Sequence, residues 1–327
     1  MENGHITVTG ATGFIGRHLV AHLIKHRIPA TLLLRQAGAC PTEWRRCPNL
    51  RLVEIGDIEI SSQLPDILMG TQTLLHLAGL AHVKNADANK FFAANARATE
   101  QLVNAVSQSD VRKFVHLSSI AAVTSNASNS VIDDNTIPRP AGAYGESKRE
   151  AEAQVARLAL QGRFAVSIRP PLVVGSDAPA NWRQLQKLAA RSFVLPFAGV
   201  DNQRSYISVN CVVEMLMHLH GGNWQSGVSG EYCIAADGAL SLSEVLTLLR
   251  RGMNKRRNLL YVPPKILDWM LRLAGQEKIA NSLLGDLRIS GTRFNETFQF
   301  HEFLGIKESI ILSAMEFWKR ENSFSGE

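Results

Sequence analysis

The chain has 327 residues, 45% of them apolar and 20% charged, with a net charge of +6 and a pI near 9.3. This is the balance of a globular protein with a sizeable core, in one large domain or two; it excludes a disordered chain, and its modest, dispersed charge suits small anionic substrates better than nucleic acid. Cys40, Cys47, Cys211 and Cys233 contain no Cys-x-x-Cys pair, and no uncharged apolar run reaches ~18 residues, so a disulfide frame, a zinc or other metal site and stable membrane insertion are not expected.

In chain order, Ile6-Thr7-Val8 alternates like a strand. It begins almost at once, which leaves no room for a signal peptide, so a cytoplasmic location is expected. Thr9-Gly10-Ala11-Thr12-Gly13-Phe14-Ile15-Gly16 follows, and then Arg17 to Ile24 with helical spacing at residues 19, 20, 23 and 24. Three glycines on a strand-to-helix turn let a backbone approach a phosphate, with the helix-start N–H groups aimed at it. The spacing Gly-x-x-Gly-x-x-Gly is one residue wider at its front than the common dinucleotide fingerprint.

Further strands are expected at residues 30–34, 50–55, 73–77, 113–117 and 165–169, and helices at 89–107 and 143–161. Alternating elements predict an α/β fold with a Rossmann-type, doubly wound parallel sheet over residues 1–175. After Pro170-Pro171 the rhythm becomes irregular, with helices expected at 243–253 and 264–274. The second has an apolar face of Ile266, Leu267, Met270 and Leu271, expected to pack on a core. Residues 176–327 read as a smaller, interleaved substrate domain with segments returning to the sheet.

Arg35 stands 19 residues beyond Gly16, at the end of strand 2. An NAD-binding Rossmann unit places an acid there for the ribose 2′-hydroxyl. A guanidinium grips a 2′-phosphate instead, so NADP(H) is the expected cofactor, with NAD(H) the alternative. Asp57, after strand 3, is placed to accept from an adenine amine. Leu77-Ala78-Gly79 gives small residues where strand 4 passes the dinucleotide.

Tyr144 and Lys148 are four apart on a helix and share a face that Ala151 and Val155 continue into the core. A buried ammonium beside a phenol is expected to lower the phenol's pKa towards neutrality and so make it a proton donor and acceptor. Ser119, 25 residues earlier at the end of strand 5, sits on the sheet edge where ligands bind in open α/β folds. Its hydroxyl is placed to hold a substrate carbonyl. Ser118 reads as a turn or cap residue.

Together these residues resemble the extended short-chain dehydrogenase/reductase family, of NAD-dependent epimerase/dehydratase type. The resemblance spans nearly the whole chain. It rests on residues 9–16, Asp57-Ile58, His-Leu-Ala-Gly at 76–79, Asn95 with Thr99, Leu-Ser-Ser at 117–119, Tyr144 with Lys148, and Arg-Pro-Pro-Leu-Val-Val-Gly at 169–175. It implies a catalytic set of Ser119, Tyr144 and Lys148. It implies cofactor contacts from Gly10, Gly13, Phe14, Ile15, Gly16, Arg35, Asp57, Ile58, Leu77, Ala78, Gly79, Asn95, Tyr144, Lys148 and Pro171. Ser119, Asn181 and Arg204 are the implied substrate contacts, with Arg204 on a diphosphate. Asn210 stands where the family has an acid.

A narrower resemblance lies in Ala-Gly-Leu-Ala-His-Val at 78–83 and Leu-Pro-Phe before Asn-Gln-Arg-Ser-Tyr. It is to bacterial enzymes that reduce a UDP-4-keto-6-deoxy-N-acetylhexosamine at C4, whose relatives include UDP-sugar 4-epimerases. A UDP-sugar substrate, surface-polysaccharide synthesis and a possible homodimer follow as expectations. The competing readings are an epimerase with bound NAD and a non-catalytic dinucleotide sensor.

Overall fold

The computed structural model describes residues 4–81, 87–125, 127–302 and 304–323. The strands are β1 (Ile6–Thr9), β2 (Ala30–Leu34), β3 (Leu50–Glu54), β4 (Thr73–His76), β5 (Lys113–Leu117), β6 (Phe164–Arg169), β7 (Leu172–Val174), β8 (Tyr206–Ser208) and β9 (Gly230–Cys233). The helices of the first half are α1 (Phe14–Lys25), α2 (Leu64–Ile67), α3 (Ala88–Phe91), α4 (Ala98–Ser107) and α5 (Gly142–Leu160). Those of the second half are α6 (Ala180–Ala190), α7 (Val209–Gly221), α8 (Leu242–Gly252), α9 (Pro264–Leu273), α10 (Glu277–Leu284), α11 (Thr292–Phe298) and α12 (Ile306–Ser323).

Seven strands form one parallel sheet in the order β3-β2-β1-β4-β5-β6-β9. This is the doubly wound Rossmann arrangement, extended at one edge by β9. Successive residues on each strand feed opposite faces, so both faces are apolar. Leu75, Val115 and Val166 join Leu19 and Leu23 of α1 and Val212 and Leu216 of α7. Their neighbours Leu74, Phe114 and Ala165 join Leu102 and Val106 of α4 and Leu158 of α5 on the other side. The order reverses between β1 and β4, and a crevice opens there at the carboxyl ends of the strands.

β7 and β8 form a separate parallel pair. With α6, α8 and α12 they enclose another core around Trp182, Tyr206, Leu246, Ile310 and Phe317. The four cysteines form no disulfide. No helix among the described residues is long and apolar enough to cross a membrane.

Three expectations need correction. The helix expected at 89–107 is interrupted by a π-helical stretch, Phe92–Arg97. The irregular stretch after Pro171 contains α6 and α7, and the C-terminal region adds α10, α11 and α12. The face expected to be buried on α9 keeps only Leu267 inside, while Ile266 and Met270 are exposed.

Candidate active site

The glycine turn is shaped by contacts that tolerate no side chain. Gly10 has φ +74°, and a Cβ there would lie 2.4 Å from the Ala78 amide nitrogen. A Cβ on Gly16 would lie 2.1 Å from the Gly10 carbonyl oxygen. The start of α1 therefore rests directly on the turn, and β1 rests on the chain leaving β4. Gly13 caps α1 without a side-chain hydrogen bond, and no acid occupies the first helical turn. The helix-start amides and dipole are thus left to attract an anion. These residues fit a dinucleotide pyrophosphate.

The chain beyond β4 forms the neighbouring wall. Leu77 donates its N–H to Thr9 O at 3.1 Å, and Ala78 donates to Thr9 Oγ1 at 3.3 Å. Asn95, presented by the π-helical stretch, accepts from the Leu80 N–H at 2.8 Å and donates to the Leu80 carbonyl at 3.0 Å. The same amide donates to Ser147 Oγ at 2.9 Å. One side chain thus ties the loop after β4 to α5. His82 and Val83, part of the narrower resemblance, lie outside the described residues.

Ser119, Tyr144 and Lys148 line one cleft of about 790 Å³ together with Gly10, Gly13, Phe14, Ile15, Gly16, Leu77, Gly79 and Pro171. Ser119 ends β5 and also caps the short turn after it, accepting from Ala121 N–H at 3.2 Å. Lys148 is buried and donates to the Leu117 carbonyl at 2.9 Å. A Cβ on Gly79 would lie 3.0 Å from Lys148 Nζ, so the ammonium sits beside that glycine. Burial lowers the Lys148 pKa to about 8, with the Glu152 carboxylate opposing the shift.

The expected lowering of the Tyr144 pKa is not found. Burial pushes the phenol upwards, and a hydrogen bond with Ser119 only partly offsets it. The physical reason is desolvation, which penalises a phenolate in this buried position.

A residue that the sequence reading passed over supports this set from behind. Glu152, one helical turn beyond Lys148, accepts from Arg169 Nε at 2.8 Å and Arg169 Nη2 at 2.7 Å. It also accepts from Ser118 Oγ at 2.6 Å. Glu152 and Arg169 are both buried. This paired carboxylate fixes the ends of β5 and β6 against α5, and with them Ser119 and Pro170-Pro171. Its signal in the sequence was an acid on the same buried face as Tyr144 and Lys148.

Asn181 and Arg204 line the same cleft. Asn181 opens α6 just after Ala180, whose φ of 52° is in the left-handed region. Arg204 is half-buried and donates to the Gly285 carbonyl at 2.8 Å. Arg35, Asp57 and Ile58 stand elsewhere, beyond the ends of β2 and β3. Arg35 Nε pairs with Asp57 Oδ1 at 2.7 Å, and the two side chains are 72% and 58% exposed. Two residues expected to touch different parts of a cofactor are thus partnered with each other.

A family model for the NAD dependent epimerase/dehydratase family matches residues 6–233. The chain belongs to this family. The match begins at β1 and ends at β9, so it takes in the whole large sheet. UDP-glucose 4-epimerase of Vibrio cholerae is 28% identical over 337 residues, covering 97% of this chain and 96% of that protein. The structure of MoeE5 in complex with UDP-glucose and NAD has a TM-score of 0.72 at 23% identity, covering 98% of this chain and 100% of that one. UDP-N-acetylglucosamine 4-epimerase from Bacillus cereus has a TM-score of 0.77 at 18% identity, covering 96% and 99%. At these identities the two structures establish the shared fold.

Proposed function

We propose that this chain reduces the C4 keto group of a UDP-4-keto-6-deoxy-N-acetylhexosamine, with NADPH as reductant. The observation that carries the reading is one continuous cleft. Its lining includes the glycine turn, Ser119, Tyr144, Lys148, Asn181 and Arg204. A dinucleotide site, proton-transfer groups and an anion-binding arginine therefore face the same space.

The nicotinamide, when bound, supplies the hydride that C4 receives. Tyr144 gives its phenolic proton to the former keto oxygen, so the carbonyl becomes a secondary alcohol. The raised pKa of Tyr144 keeps it protonated, the state that a reduction requires. Ser119 donates a hydrogen bond that orients the keto oxygen. Lys148 holds the cofactor ribose, and its cation supports the phenolate left after proton transfer. Arg204 pairs with the diphosphate and Asn181 with the diphosphate or the sugar. In this reading residues 1–175 hold the dinucleotide and residues 176–327 mainly cover the sugar nucleotide, in the cytoplasm.

Two consequences can be measured. Lys148 loses its charge as pH rises through about 8. Reductive kcat/KM is therefore expected to hold below that pH and fall above it. A profile that instead rises through pH 8 would contradict the assigned role of the cation. Arg35→Asp is expected to weaken NADPH binding by several-fold to a hundredfold, the range of a charge-assisted contact of ~1.5–3 kcal/mol, and to leave NADH unaffected or improved. Tighter binding of NADH than of NADPH by the unaltered protein would make Arg35 a surface partner of Asp57 and nothing more.

A second reading is a UDP-sugar 4-epimerase with bound NAD. The near full-length similarity to UDP-glucose 4-epimerase of Vibrio cholerae favours it. The same side chains would serve, and the cofactor would not be consumed. Incubation with UDP-sugars and with 4-keto sugar nucleotides, with and without NADPH, separates the two. The reductase consumes NADPH only with the keto sugar; the epimerase interconverts UDP-sugars with no added cofactor.

A further inference from the structure

We infer that the α9 face docks on an anionic phospholipid surface. Ile266, Trp269, Met270 and Leu273 follow the spacing i, i+3, i+4, i+7 and so form one stripe along α9. All four are exposed, Trp269 by 62% and Leu273 by 68%, while Leu267 on another face is buried. A helix that buries Leu267, half-buries Leu271 and turns a tryptophan, a methionine and two aliphatic side chains to solvent has the residue distribution of an interfacial helix.

Further exposed apolar side chains sit on two paired segments. Leu260 and Tyr261, just before α9, are exposed, as are Phe193 and Val194. The two segments are paired: Leu195 donates to Asn258 O at 3.0 Å, and Leu260 donates to Leu195 O at 2.9 Å. Buried Arg250 fastens both, donating to the carbonyls of Arg191, Phe193, Arg257 and Asn258. The apolar tips are thus held in place by a built hydrogen-bond hub.

Charge selects the occupant. From residue 251 to 276 the chain has six cationic residues, Arg251, Lys255, Arg256, Arg257, Lys265 and Arg272, and one acid, Asp268. That acid is already paired with Arg272 at 2.8 Å. Exposed Trp and Tyr within a basic stretch of chain match a negatively charged bilayer, where each basic residue adds attraction and the rings sit at headgroup level. A second copy would bring the same basic stretch against itself. α10 packs against α9 and contributes Ile279, Ser282 and Leu283 to the cleft, so docking sets the sugar end of the cleft close to the bilayer.

The test is flotation of the purified full chain with vesicles of phosphatidylcholine mixed with phosphatidylglycerol, and with phosphatidylcholine alone. The mixed vesicles should carry the protein at low salt, the neutral ones much less, and added salt should release it. Trp269→Ser with Leu273→Ser should weaken binding roughly tenfold or more, by removal of two apolar anchors, with circular dichroism and NADPH binding unchanged. Arg256→Gln with Lys265→Gln should lessen the preference for the anionic vesicles. No binding to anionic vesicles, or equal binding by the Trp269/Leu273 variant, overturns the inference. A concentration-dependent dimer that this variant dissolves, without vesicle binding, assigns the face to a second copy and also overturns it.

Discussion

Replacing Tyr144 with phenylalanine is expected to slow turnover by ~10²-fold or more, the scale of a lost general acid. The effect should fall on kcat, because the hydroxyl is assigned to proton transfer and the rest of the ring to packing. The ring meets Phe91 at a centroid distance of 6.0 Å, a contact that phenylalanine keeps. Dinucleotide binding and the thermal midpoint should therefore stay near those of the parent protein. Near-normal turnover in a folded Tyr144→Phe protein would remove Tyr144 from the chemistry.

The largest stability effect is expected at Glu152. Glu152→Ala leaves the Arg169 guanidinium buried beside a void and strips Ser118 of its acceptor. Breaking a buried ion pair by removing one partner costs ~3–5 kcal/mol. Urea unfolding should show that loss as an earlier midpoint with a similar slope. A double replacement, Glu152→Leu with Arg169→Met, should be less damaging than Glu152→Ala alone, because no charge is then stranded. If the single change costs under ~1 kcal/mol, the pair is not the brace described above.

What was legible in the sequence was local chemistry with a fixed spacing. Gly10, Gly13 and Gly16 announce a strand-to-helix turn, and at Gly10 and Gly16 three-dimensional contacts forbid any side chain. Tyr144 and Lys148 share a face because four residues make about one helical turn. Ser119 is legible because it follows a strand at the carboxyl edge of the sheet, the edge where open α/β folds bind ligands. Glu152 went unread because its partners, Ser118 and Arg169, come from two other strands, and no local spacing reports them. The π-helical stretch that presents Asn95 is equally silent, since one wider turn barely disturbs a helical pattern.

Electrostatics were the least legible part. Four-residue spacing placed Lys148 and Tyr144 on one face but did not reveal how deeply both would be buried. The direction of the Tyr144 shift follows from burial, which the Ser119 hydrogen bond only partly offsets. Helix α9 is the converse case. Its apolar periodicity was plain, yet periodicity cannot tell a face turned to a core from one turned to solvent. Only the exposed Trp269 and Leu273, with the neighbouring cations, distinguish them.

The most direct test of the central claim uses NADPH deuterated at the transferable position of the nicotinamide, with a UDP-4-keto-6-deoxy-N-acetylhexosamine as substrate. Mass and nuclear magnetic resonance spectra of the product should show one deuterium at sugar C4, with one NADPH oxidised for each keto group reduced. Unlabelled product, or interconversion of UDP-N-acetylglucosamine with its C4 epimer without loss of NADPH, would contradict the reductase account.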